Sequence, residues 1–211
     1  MEGKRTELMF FKTPKLLHIV YPKLIWETKK SIRLTFDDGP IPEVTEFVLN
    51  TLAKFNLKAT FFCIGDNIRK YPEILLKTLE EGHKVGNHTM HHLNGWKTNN
   101  SIYFQDVFEC QKEIDKLYPD SSRKLFRPPY GRIKRSQIKE LAPHFDIMMW
   151  GTLSQDYDKE ISPKKCLKET LKGTQSNSIV LFHDSLKAQK NMEYVLPKYL
   201  ESLLKEGYVF E

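Results

Sequence analysis

The pattern that most constrains this chain is an alternation. Seven short runs rich in β-branched and aromatic residues stand apart along it: "IRLTF" (32–36), "ATFFCI" (59–64), "HKVGN" (83–87), "KLFR" (124–127), "FDIMMW" (145–150), "SIVLF" (178–182) and "GYVF" (207–210). Between them the period changes to that of a helix. In "VTEFVLNTLAKF", Val44, Phe47, Val48 and Leu52 share one face. "YPEILLKTLEEG" carries Pro72 near a helix start and Gly82 at its stop. "FQDVFECQKEIDKLY", "SQIKELAPHF", "SPKKCLKETLKG" and "NMEYVLPKYLESLLKEG" continue the alternation. Strands that alternate with helices predict a parallel sheet. With 211 residues, the chain is expected to form one α/β domain, a closed or nearly closed barrel of seven βα units.

Composition narrows the partners. The net charge of +6, from 33 basic and 27 acidic residues, is spread along the chain and reads as a solvated surface. There is no arginine-rich block or aromatic ladder, so a nucleic-acid partner is not expected. Cys63, Cys110 and Cys166 are widely spaced, which argues against a thiolate zinc site and for core cysteines or a reducing setting. At the N-terminus, apolar pieces are broken by Lys12, Pro14, Lys15, His18 and Pro22. No transmembrane span is expected there, and no export signal is evident. Residues 1–28 read as an extension packed on or tethered to a catalytic domain of residues 29–211, with contact to a membrane surface as an alternative. A monomer is expected, and the compartment is left open.

A parallel βα barrel carries its chemistry at the C-terminal ends of its strands. Asp37 and Asp38 follow the first strand and are cut off at once by Gly39 and Pro40. The turn can aim both carboxylates into one cleft, which is unfavourable unless a cation or a proton sits between them. "HTMHH" (88–92) follows the third strand, "RPPYG" (127–131) the fourth, "GTLSQDY" with Asp156 the fifth, and His183 closes the sixth in "LFHDS". A single helical turn at 88–92 would put His88 and His92 on one face. Two histidines and a carboxylate, with positions open to water, are the usual ligand set of a catalytic zinc site. His91, three residues from His88, is a second-rank ligand. Plainer roles stand beside these: capped or surface histidines, Asp37 as a cap, and Trp96 as loop packing or as a sugar platform. His18, His83 and His144 read as ordinary histidines.

In "TFDDGP", in "HTMHH" as H-[ST]-x-x-H, in "RPPYG" and in "LFH" as L-x-H, the chain resembles the polysaccharide deacetylases of carbohydrate esterase family 4 from about Ser31 onward. The resemblance implies a distorted (β/α)7 barrel and removal of acetyl groups from N-acetylglucosamine-type polymers such as peptidoglycan or chitin oligomers. O-deacetylation of xylan and a non-catalytic glycan-binding barrel are the alternatives. It also implies a metal triad of Asp38, His88 and His92 that holds zinc, with cobalt or nickel as substitutes. Asp37 resembles the general base, His183 the general acid, Asp156 its partner and Arg127 the arginine that orients the base. Tyr130 resembles the residue whose backbone N–H meets the oxyanion, and Tyr157 and Leu181 resemble the walls around the acetyl methyl. The family's Asp-x-x-Asp-Trp motif here reads "LSQDY", with Leu153 for the first aspartate and Tyr157 for the tryptophan. That departure bears on substrate preference more than on chemistry.

Overall fold

The computed structural model describes residues 11–119 and 124–211, so most of the expected N-terminal extension, but not residues 1–10, falls within it. One parallel sheet contains β1 (Arg33–Asp37), β2 (Thr60–Cys63), β3 (Lys84–Asn87), β4 (Leu125–Phe126), β5 (Asp146–Ile147), β6 (Thr152–Leu153) and β7 (Ile179–His183), in the order β5-β4-β3-β2-β1-β7-β6. The helices are α1 (Lys15–Val20), α2 (Val44–Lys54), α3 (Gly65–Lys70), α4 (Pro72–Glu80), α5 (Asn100–Leu117), α6 (Arg135–Leu141), α7 (Pro163–Gly173) and α8 (Gln189–Lys205). This is the distorted (β/α)7 barrel expected from the sequence.

The seventh strand is a different one from that expected. "GYVF" contributes only an isolated bridge between Phe210 and Ile32, after Gly207 turns the chain with φ of 79°. The missing member is β6, whose two residues are too few to display any period. It follows β5 after only residues 148–151, with no helix between them, so the βα alternation breaks there. The sheet therefore stays open at its β5 and β6 edges. N-terminal residues lie along the opening: Ile25 bridges Met148 in parallel, and Lys12 bridges Thr152 antiparallel.

The two-residue period of the central strands sorts the barrel's interior from its helix-covered exterior. Leu34 and Phe36 of β1, Phe61 and Cys63 of β2, and Val180 and Phe182 of β7 join Val48, Leu49, Leu52, Val195 and Tyr199 in one core under α2 and α8. The alternate residues Thr35, Asp37, Phe62, Leu181 and His183 point the other way. Asp37 is thus carried inward by the same alternation that buries Phe36 outward. β1 and β7 run in register with Asp37 opposite His183, so the two residues close neighbouring strands at one level.

Candidate active site

Arg127 organises the interior. Its side chain is fully buried and lies over the Phe62 ring, 4.2 Å from the centroid. Nη1 donates to Asp37 Oδ1 and to Thr35 Oγ1, each at 2.8 Å. Nε donates to the Met148 carbonyl at 3.1 Å and Nη2 to that of Met149 at 2.8 Å. One guanidinium thus ties β1 to the segment that crosses the sheet opening and holds the Asp37 carboxylate in one orientation. Burial pushes the Asp37 pKa above the usual carboxylate value, and the charge of Arg127 works against that rise.

Asp38 leaves the strand with φ of 85°, a left-handed conformation rare outside glycine. Its N–H donates to the Phe62 carbonyl at 3.2 Å, and its own carbonyl accepts from Asn67 Nδ2 at 2.7 Å. Gly39 follows because no side chain fits there: a Cβ would strike the buried Asp184 carboxylate, which accepts from the Gly39 N–H at 3.1 Å and from Thr45 Oγ1 at 2.6 Å. Gly39→Ala is expected to destabilise the fold by about 1–3 kcal/mol, the usual range for overpacking a filled site, read as a lowered denaturation midpoint.

The expected helical turn at 88–92 does not form. Those residues make an irregular loop in which Thr89 and His92 both have positive φ, 65° and 56°. Side chains hold this shape. Asn87 Oδ1 accepts from the Thr89 N–H at 2.8 Å, and Thr89 Oγ1 accepts from the Leu93 N–H at 3.1 Å. Asp106, buried on α5, accepts from the N–H groups of Met90 and His91. Asp106 also binds His91 Nδ1, which turns His91 away from Asp38 and removes it as an alternative ligand. The sequence did hold a signal for Asp106: a carboxylate at helical spacing within the buried stripe Tyr103, Val107, Cys110.

His88 and His92 converge on Asp38 all the same. His88 Nε2 is 3.7 Å and His92 Nε2 3.3 Å from Asp38 Oδ1. The other ring nitrogens are taken: His88 Nδ1 donates to the Arg127 carbonyl at 2.7 Å, and His92 Nδ1 lies 3.1 Å from the Tyr130 hydroxyl. The bond to a carbonyl places the His88 proton on Nδ1 and leaves the Nε2 lone pair free. Burial pushes the pKa of His88 down to about 3 and lowers that of His92, so both rings are neutral near pH 7. Asp38 Oδ1 is buried with no hydrogen-bond partner. The unprotonated His88 Nε2, the unpartnered Asp38 Oδ1 and His92 Nε2 thus face one point. That arrangement is unfavourable by itself and becomes favourable around a cation, so this donor set fits a divalent metal.

His183 stands across the cavity. Asp156 Oδ1 accepts from its Nδ1 at 2.7 Å, and Asp156 Oδ2 accepts from its backbone N–H at 2.8 Å. Burial opposes the charged ring, yet the charge and hydrogen bond of Asp156, with help from Asp38 and Asp37, outweigh it and raise the pKa to about 9. Tyr157 meets the His183 ring edge-on at 4.8 Å.

A cavity of about 290 Å³ gathers Asp37, Asp38, His88, His92 and His183 with Tyr130, Tyr157 and Leu181. Arg127 and Asp156 stand behind Asp37 and His183. Trp150 and Lys187, which no sequence motif marks, also line it, as does Leu153 in place of the motif's first aspartate. Trp96 does not line it; the Arg132 guanidinium lies over its ring at 4.3 Å, and its Nε1 donates to the Ile133 carbonyl. The three remaining histidines have local partners: His18 stacks on Trp26, His144 meets Phe108, and buried His83 accepts from the Ala59 N–H.

Comparisons with known proteins point to one family. The family model described as polysaccharide deacetylase matches residues 26–144. A peptidoglycan-N-acetylglucosamine deacetylase of Bacillus cereus is 35% identical over 158 residues, 74% of this chain and 57% of that protein; this chain therefore spans little more than half of that relative. A second Bacillus cereus protein of the same description is 33% identical over 191 residues, 88% of each chain. A crystal structure of a peptidoglycan N-acetylglucosamine deacetylase in complex with 4-naphthalen-1-yl-N-oxidanyl-benzamide superposes with a TM-score of 0.86 at 30% identity, covering 94% of each chain.

Proposed function

The chain belongs to the polysaccharide deacetylase family, and on that premise we propose that it hydrolyses the acetamido groups of N-acetylglucosamine-type glycans, with peptidoglycan as the leading substrate. The observation that carries the reading is the buried, unpartnered Asp38 Oδ1 facing two neutral imidazoles, in the same cavity as a carboxylate and an imidazolium.

In this reading Asp38, His88 and His92 hold a divalent ion, zinc before cobalt or nickel. Bound there, such an ion acts as a Lewis acid toward the acetyl carbonyl and makes water a nucleophile near neutral pH. The chain's own groups move the protons. Asp37, oriented by Arg127, takes a proton from the attacking water. The backbone N–H of Tyr130 stabilises the oxyanion; loss of one such donor costs about 3 kcal/mol in other hydrolases. His183, kept charged by Asp156, delivers a proton to the leaving nitrogen, because an amide nitrogen departs only as the amine. Water and amide are consumed, and acetate and a free amine are formed. Leu153, Leu181, Tyr157 and Trp150 supply the apolar wall suited to the acetyl methyl.

The test is acetate release from chitooligosaccharides, from peptidoglycan and from acetylated xylan, with and without chelator. Acetate is expected from the N-acetylated substrates, lost on chelation and restored by zinc. Release from xylan alone would replace this reading with O-deacetylation. Glycan binding without release from any substrate would make the barrel a binding module.

A further inference from the structure

We propose that the face formed by α1 and the adjoining groove docks this chain on an anionic phospholipid surface. Of the eleven large apolar side chains exposed among the described residues, four lie in this one short helix: Leu16, Leu17, Ile19 and Val20. Such residues are ordinary when scattered, whereas a cluster marks a contact surface. Leu16, Ile19 and Val20 are spaced i, i+3, i+4 and share one face; Leu16 is 66% and Ile19 76% exposed, and the helix buries none of its residues. A groove of about 330 Å³ continues from Val20 to α6, and among the described residues its charged lining is Lys23, Arg135 and Lys139, with no carboxylate. The surrounding segment, residues 11–30, holds five lysines and a single carboxylate, Glu27.

This charge sign chooses the partner. Apolar side chains beside unopposed cations match a bilayer interface, where phosphates meet the cations and the apolar groups reach the acyl boundary. No described helix is long and apolar enough to cross a membrane, so the contact is one of surface adsorption. The groove shares no lining residue with the catalytic cavity.

The test is co-sedimentation of the full chain with vesicles of phosphatidylcholine alone and of phosphatidylcholine with phosphatidylglycerol. Binding to the mixed vesicles is expected, weakened by high salt and absent with phosphatidylcholine alone. Each basic residue near an anionic surface contributes roughly fivefold. The triple charge reversal Lys23→Glu, Arg135→Glu, Lys139→Glu should therefore lower partitioning by more than about tenfold. The double variant Leu16→Asp, Ile19→Asp should also lose binding. Leu76→Asp, at an exposed position outside the patch, should bind like the wild type, and melting curves report that each variant is folded. The proposal is overturned if the wild type stays in the supernatant with anionic vesicles, or if folded variants bind as it does. A dimer that Ile19→Asp dissociates, without lipid binding, would equally overturn it and make the face a contact between two copies.

Discussion

Asp37→Asn is expected to lower the rate of acetate release by a factor on the order of 10²–10⁴, the usual contribution of a positioned general base. Asparagine keeps the shape and can still accept from Arg127 Nη1, but it cannot take a proton. Asp38, His88 and His92 are untouched, so zinc content, measured by elemental analysis, should equal that of the wild type. The substitution also leaves the fully buried guanidinium without its counter-charge. Breaking a buried pair in this way costs about 3–5 kcal/mol when nothing replaces the partner, and less here because the amide oxygen remains. A lowered denaturation midpoint should therefore accompany the lost rate. Full activity with zinc retained would remove Asp37 from the chemistry and leave its bond to Arg127 as structural.

Asp156→Asn should move the alkaline limb of the pH–rate profile toward acid. The sign follows from the imidazole. A group with a raised pKa stays protonated below that value and loses its proton as pH rises through it. His183 at about 9 can therefore act as an acid throughout the neutral range. A cation bound nearby works against this charge, so the limb is expected at or below that value. Without the Asp156 carboxylate, burial acts with much less opposition and the pKa falls back toward its ordinary 6.5. At pH 8 the protonated fraction, and with it the rate, should fall about thirtyfold, with much of the loss recovered at lower pH. A uniform loss across all pH values would assign Asp156 a role in ring orientation alone.

The residues of the cavity were largely legible before any fold was known, because a parallel barrel gathers whatever follows its strands. Asp37, Asp38, His88, His92 and His183 all follow or close a strand and all line one cavity. Sequence and structure part where a pattern is too short or belongs to another element. β6 has two residues and cannot show a period, whereas "GYVF" shows one and forms only a bridge. The spacing of His88 and His92 fits a helical turn, yet the loop reaches the same convergence by another route. His91 was excluded only by Asp106, fifteen positions away on α5. Lys187 and Trp150 carried no motif and enter the cavity through tertiary placement alone.

What the sequence by itself determined is the chemistry on offer and the side of the sheet it faces. Strand alternation is a local property, so burying Leu34 and Phe36 on one side commits Thr35 and Asp37 to the other. What only the tertiary structure decided is the backbone shape that turns these groups toward one another. Asp38, Thr89, His92, Tyr130 and Gln155 all take positive φ beside the cavity, and none is glycine. Asp and His tolerate this conformation better than most side chains, but their presence alone does not fix it. It is unfavourable locally by about 1–3 kcal/mol per residue and persists because hydrogen bonds from distant positions, Asn67 to the Asp38 carbonyl and Asp106 to the 90–91 backbone, outweigh it.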